Sequence, residues 1–339
     1  MIKFVNQKSP DLDRVSCLLE QCASQNLWAN RGPLYTKLAD DYSEHFGLGS
    51  DCSVTPCANA GIALEAMARL LSLRQGRKLR WVGSAFSFHN LGRGYFADMA
   101  LVDCTTQGLL DIDAVRKMPE QGFDGIIVVN PFGLFQDFDE YVTYARESGK
   151  FLLIDNAAGI SRTMPDWPWQ ALSLHHTKPY GMGEGGLALT PPEAAEDLYG
   201  LLNYGPLPND AACWLNNGKI SDIACAFLID RLEKVSQWEP LYLEQAKRVY
   251  RIASDLGLSP IRPFGPTAPA MSWGYLAPNE IPLERIVEAR RLTFGKYYKP
   301  LADLPQTTSL YSRLVNIPTH PDVSKLSDSE LAEEIARLL

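Results

Sequence analysis

Apolar positions along the chain change their spacing, from helical periods to the continuous runs of buried strands. In NRGPLYTKLADDYSEHF, Leu34, Leu38, Tyr42 and Phe46 recur every fourth residue and predict one amphipathic helix. ANAGIALEAMARLLSL, beginning at Ala58, predicts a second helix opened by small residues. The first sixty residues therefore read as helices joined by turns. KLRWVGSAF, ALVDCT, DGIIVVNPFG and KFLLIDNAAG then read as strands, with a helix, DFDEYVTYARESG, between the last two. The runs IIVV and FLLI do not alternate, as expected of strands covered on both faces. ALSLHHTK and GGLALT are short strands flanking a Gly-rich turn. This order predicts an α/β fold whose mostly parallel sheet is flanked by helices.

A long helical stretch over residues 220–256 follows, with few breakers. The composition then shifts to the Pro/Gly-rich IRPFGPTAPAMSWGYLAPNEIP. LERIVEARRLTFGKYY predicts a helix, and SDSELAEEIARLL a terminal helix that opens with a capping box. The pattern divides the chain into a large α/β domain, residues 1–240, and a smaller C-terminal α+β domain, residues 241–339.

Composition narrows the class. The 339 residues are 46% apolar and 21% charged, which suits a globular chain and excludes collagen-like or disordered ones. Net charge is 32 − 40 = −8, which argues against a broad nucleic-acid surface. No apolar run reaches the roughly 18 residues of a membrane span. Lys3, Lys8 and Asp11 interrupt the opening segment, so no secretory signal is expected. Seven cysteines, without a CxxC pair, fit a reduced cytoplasmic protein.

Five segments could carry chemistry. Ala60 and Gly61 open a helix whose amides would favour an anion, or simply allow close packing on the sheet. Asp155 ends an apolar strand, where ligands of open α/β sheets gather, or caps the next turn. Lys178 follows a strand and precedes a Gly-rich turn, with Ser173 five residues earlier. A lysine with a lowered pKa can act as nucleophile and proton carrier. The adjacent His175 and His176 would point to opposite faces of a strand, so no metal site is expected. Phe86 and Phe88 follow a strand and could stack on a flat cofactor or fill the core. Asn216-Asn217-Gly218-Lys219 precedes a long helix and could be an ordinary solvated loop.

Taken together, and in this order, these segments resemble the DegT/DnrJ/StrS family of pyridoxal-phosphate sugar aminotransferases, of fold type I. The anchor is S-x-x-x-x-K followed by GEGG, and the likeness runs from about residue 30 to the C-terminus. The resemblance implies that Lys178 carries the cofactor as a Schiff base and that Asp155 holds its protonated ring nitrogen. It implies phosphate binding by Ser173 and by Ala60 and Gly61, and ring stacking by Phe86. Asn217 and Lys219 resemble an Asn-x-Arg pair that reaches the phosphate from a neighbouring subunit, which implies a homodimer with shared sites. The implied reaction moves an amino group from a donor such as glutamate, through pyridoxamine phosphate, to a nucleotide-linked keto-deoxysugar. Three positions depart from the pattern. Ala158 stands where the family has Gln or His, Ala60-Gly61 replaces Gly-Thr, and Lys219 replaces Arg. These departures leave open a transaminase acting on a non-sugar ketone or aldehyde, or a non-catalytic relative that binds the cofactor. A plain nucleotide-binding protein lacks its Gly-rich motif here.

Overall fold

The computed structural model describes residues 1–205, 217–265 and 268–339. Two helices lead, α1 (Leu12–Gln25) and α2 (Pro33–Phe46), and Leu34, Leu38, Tyr42 and Phe46 of the predicted stripe are all buried. The α/β region then comprises β1 (Ser53–Cys57), α3 (Ala60–Arg74), β2 (Trp81–Ser84), β3 (Ala100–Val102), α4 (Ile112–Arg116), β4 (Gly125–Val129), α5 (Asp139–Ser148), β5 (Phe151–Asp155), β6 (Gln170–Ser173), β7 (Gly186–Thr190) and α6 (Pro192–Leu202). Their seven strands form one sheet in the order β1-β7-β6-β5-β4-β2-β3. Only β7 runs against its neighbours. Apolar clusters cover both faces, one under α3 and α6, another under α4 and α5. That two-sided cover is why IIVV and FLLI carry no alternation. The predicted α/β class is the observed one.

The long helical stretch is two helices, α7 (Asp222–Glu233) and α8 (Val235–Asp255), meeting at Lys234. Residue 240 lies inside α8, so the chain leaves the large sheet within one continuous helix. A three-stranded antiparallel sheet follows, made of β8 (Ser259–Pro260), β9 (Ser272–Leu276) and β10 (Leu314–Pro318), with α9 (Leu283–Val287), α10 (Pro305–Arg313) and α11 (Asp328–Ala336). The capping box of the terminal helix is formed, Ser327 and Glu330 bonding each other's backbone.

Two expectations fail here. The first sixty residues include a strand, β1, whose five residues are too short to show a period. The helix expected over residues 283–298 stops at Val287. Beyond it, tertiary hydrogen bonds compete successfully for the backbone. Ile2 N–H donates to Arg291 O (2.7 Å), Gly295 exchanges two bonds with Asn316 (2.9 and 2.8 Å), and Glu334 accepts from the amides of Arg290 and Arg291.

Candidate active site

The parallel strands end on one edge, and their carboxyl ends supply the site. Asp155 is the last residue of β5 and Ser173 the last of β6. β7 runs antiparallel, so its first residue, Gly186, sits at the same edge, paired with both Ser173 and Cys57. The turn between β6 and β7, which carries Lys178, is thereby brought over the edge. Gly186 has to be glycine, since a Cβ there would lie 2.4 Å from the carbonyl carbon of Asn59, at the start of α3.

A cavity of about 520 Å³ opens there, lined by Ala60, Gly61, Asp155, Ser173, Lys178 and Ala158 among others. Asn59 caps α3, its side chain accepting from Ile62 N–H (2.9 Å) and its carbonyl from Ala63 N–H (3.1 Å). The amides of Ala60 and Gly61 lie in the first helical turn, where no intrahelical acceptor exists. Ser173 is buried, and its Oγ accepts from His175 N–H (3.2 Å).

Asp155 and Lys178 shape each other. Asp155 is 5% exposed, and burial pushes its carboxyl above the usual range. The amide of Ala157, the side chain of Asn90 and the charge of Lys178 oppose that shift. Burial likewise pushes the Lys178 amine down, with the Asp155 charge pulling the other way. A carboxylate short of a cation and an amine that readily loses its proton therefore share one cavity. Behind them, Asn130, Asn156 and Gln170 form a buried hydrogen-bonded chain at 2.7 and 3.1 Å.

The aromatic expectation needs correction. Phe86 is 0% exposed and packs on Phe132 and Tyr298, away from the cavity lining, whereas Phe88, 45% exposed, lines it. The reason is a turn. Ser84 Oγ accepts from Phe86 N–H (3.0 Å) and Ser87 Oγ donates to Ser84 O (2.8 Å), which swings the chain round after β2. Phe86 goes under the sheet edge and Phe88 comes out over it.

Asn217 and Lys219 do not line this cavity. Asn217 is exposed, and the Lys219 ammonium donates to Asn30 Oδ1 (2.6 Å) beside the Tyr204 ring. Asn216, the first residue of that patch, and Cys213 lie outside the described residues. Asn90, Phe132, Tyr297 and Tyr298, which no motif or period in the sequence marks, also line the cavity. Phe132 holds φ at 58°, a left-handed conformation that a bulky residue rarely adopts, and it stacks on Tyr298 with centroids 5.1 Å apart. Phe132 is the middle residue of a Pro-Phe-Gly turn, Pro131–Gly133, that follows β4.

The residues present fit pyridoxal phosphate. The α3 amides and the Ser173 hydroxyl suit a phosphate, Phe88 offers a face for a ring, and Asp155 faces Lys178 across the same space. Asn90 Oδ1 is buried without a hydrogen-bond partner, as a site shaped for a polar ligand would leave it. A more open depression of about 600 Å³, around Glu280, Asp303 and Arg313, contains none of these groups.

Residues 14–275 match the DegT/DnrJ/EryC1/StrS aminotransferase family. The chain belongs to that family. Its members are enzymes that use pyridoxal phosphate. Protein Rv3402c of Mycobacterium tuberculosis (strain ATCC 25618 / H37Rv) is 28% identical over 254 residues, 68% of this chain and 60% of that protein. The match thus spans about 60% of the length of the curated relatives. PseC of Helicobacter pylori, an aminotransferase of pseudoaminic acid biosynthesis, shares the fold with a TM-score of 0.82 at 16% identity, covering 98% of this chain and 97% of that one. A DegT DnrJ EryC1 StrS aminotransferase from Brucella abortus superposes with a TM-score of 0.76 at 20% identity, over 98% of each chain. These likenesses establish fold type I for this family member. Among the described residues, no helix is long and apolar enough to cross a membrane.

Proposed function

We propose that this protein is an aminotransferase that moves an amino group from an amino-acid donor, glutamate by family analogy, to a nucleotide-linked keto-deoxysugar. The observation that carries the reading is the meeting of Lys178 and Asp155 in one cavity, beside the open amides of α3. Pyridoxal phosphate, when bound, supplies an electron sink and the carbon that takes up the amino group. Asp155 keeps a proton on the ring nitrogen by offering a buried carboxylate to it. Ala60, Gly61 and Ser173 would bind its phosphate, and Phe88 would supply an aromatic face beside its ring. The Lys178 amine would hold the cofactor and, when free, would take the proton from the donor's α-carbon. Its lowered pKa favours the neutral form that both tasks require.

The sugar substrate is supported by structural relatives, among them DesI, whose structure was solved with its TDP-sugar product, at 18% identity and a TM-score of 0.79. A second reading is a non-sugar ketone. Ala158, a methyl group in the cavity wall, and the aromatic residues around it leave room for that. 3-Amino-5-hydroxybenzoic acid synthase has the same fold at 18% identity. A homodimer with shared sites accounts for Asn217 and Lys219 lying off their own cavity, and a reduced cytoplasmic setting for the cysteines.

The test is the absorbance of the purified protein with pyridoxal phosphate, before and after glutamate, followed by keto-sugar nucleotides. Loss of the lysine-bound band on adding glutamate, with its return on adding a keto-sugar nucleotide, is the expected result. A band that ignores every amino donor would leave the non-catalytic reading, and no band at all would overturn the role of Lys178.

A further inference from the structure

The turn that carries Lys178 is held from behind by a lysine far away in the sequence. The Lys8 ammonium donates to three carbonyl oxygens of that turn, His176 O (2.7 Å), Gly181 O (2.8 Å) and Lys178 O. Burial and the nearby charges of Arg231 and Lys178 push this amine down to about 6, and the three carbonyl acceptors, one for each proton of an ammonium, oppose that shift. The guanidinium of Arg231, on α7, adds two bonds to Pro179 O, at 2.9 and 2.8 Å. Four carbonyls between residues 176 and 181 therefore end on the side chains of Lys8 and Arg231. The turn has little slack of its own, since a Cβ at Gly181 would lie 1.9 Å from His175 O.

The segment bearing Lys8 is itself tied down. Gln7 N–H donates to Asp322 (2.7 Å), Asn6 Oδ1 accepts from the Tyr242 hydroxyl on α8 (2.9 Å), and the His320 ring meets Lys3 O (3.0 Å). Phe4 and Val5, just before them, line the cavity. The N-terminal strap thus runs from the cavity rim to the back of the lysine's turn, anchored along its length to the C-terminal region.

We propose that Lys8 is a positioning residue for Lys178, gathering the carbonyls of its turn and fixing the Cα from which the catalytic amine swings. Lys178 must reach first the cofactor and then the donor's α-carbon, and a fixed Cα confines that movement to the side chain. The inference rests on the reading of Lys178 as the cofactor-bearing amine, yet its first test does not require the cofactor.

Hydrogen exchange of the cofactor-free protein is compared for wild type, Lys8→Met and Lys8→Arg. Loss of the clamp in Lys8→Met speeds exchange over residues 174–183 by about tenfold or more, with β4 and β5 unchanged, and Lys8→Arg restores most of the protection. The second readout is the rate at which pyridoxal phosphate becomes fixed to Lys178 by borohydride; Lys8→Met slows it about tenfold while the final extent stays the same. Unchanged exchange in Lys8→Met, with normal fixation, overturns the clamp and leaves the cofactor reading standing. A localised exchange change in a protein that never fixes the cofactor does the reverse. If Lys8→Met does not fold, Lys8→Gln, with two donors on a shorter stem, carries the same comparison.

Discussion

Replacing Asp155 by Asn removes one charge and almost nothing else. Within the fold, the carboxylate meets Ala157 N–H at 3.2 Å and the Asn90 side chain, and an Asn Oδ1 can accept in its place. The fold should therefore survive, with an unaltered circular dichroism spectrum. What is lost is the charge-assisted partner of the cofactor's ring nitrogen. Such a bond contributes about 2 kcal/mol, so pyridoxal phosphate should bind roughly thirtyfold more weakly. Turnover at saturating cofactor should fall further, by about a hundredfold or more, because the electron sink needs the protonated ring. The same substitution has a second, opposite signature in the cofactor-free protein. The Asp155 charge raises the pKa of Lys178 against the effect of burial, so without it the amine should titrate lower still. An absorbance titration gives the affinity, and pH-dependent amine labelling read by mass spectrometry gives the Lys178 midpoint. Wild-type affinity and turnover in Asp155→Asn would refute the ring-nitrogen role, and an upward move of the Lys178 midpoint would refute the electrostatic coupling.

Lys178→Ala should abolish transamination and borohydride-fixable attachment while leaving the fold intact; measurable turnover with a normal pH profile would count against it. The shared-site reading predicts that Lys219→Ala loses most activity through weakened phosphate binding. Mixing it with Lys178→Ala should then restore part of the activity, since mixed dimers contain one intact site, and a mixture as inactive as its parts would reject the idea. Acid sensitivity should include a contribution from His45, which burial and Arg162 push from 6.5 down to about 4. Between those values the unfolded chain binds the extra proton, so His45 makes stability fall as pH drops from about 6.5 to about 4. Denaturant midpoints across that range should show a shallower slope in His45→Gln; an identical slope would remove His45 from the account.

The sequence by itself determined the α/β class, the helix α2, most strands of the large sheet and the family. The reason is that local spacing and family motifs are properties of neighbouring residues. The stripe of α2 and the two-sided burial of IIVV and FLLI need no knowledge of distant contacts, and the order of Ser173, Lys178 and the GEGG turn is visible in one line of sequence. Tertiary structure decided the rest. Residues 288–298 are amphipathic enough for a helix, yet their backbone groups found partners on Ile2, Asn316 and Glu334, far away in the chain. Phe86 and Phe88 are indistinguishable by spacing, and a serine turn chose which one faces the cavity. Lys8 carries no motif at all. Its place behind Lys178 exists only because folding brings residues 170 positions apart within hydrogen-bond reach, and a contact of that kind leaves no periodic trace in the sequence that encodes it.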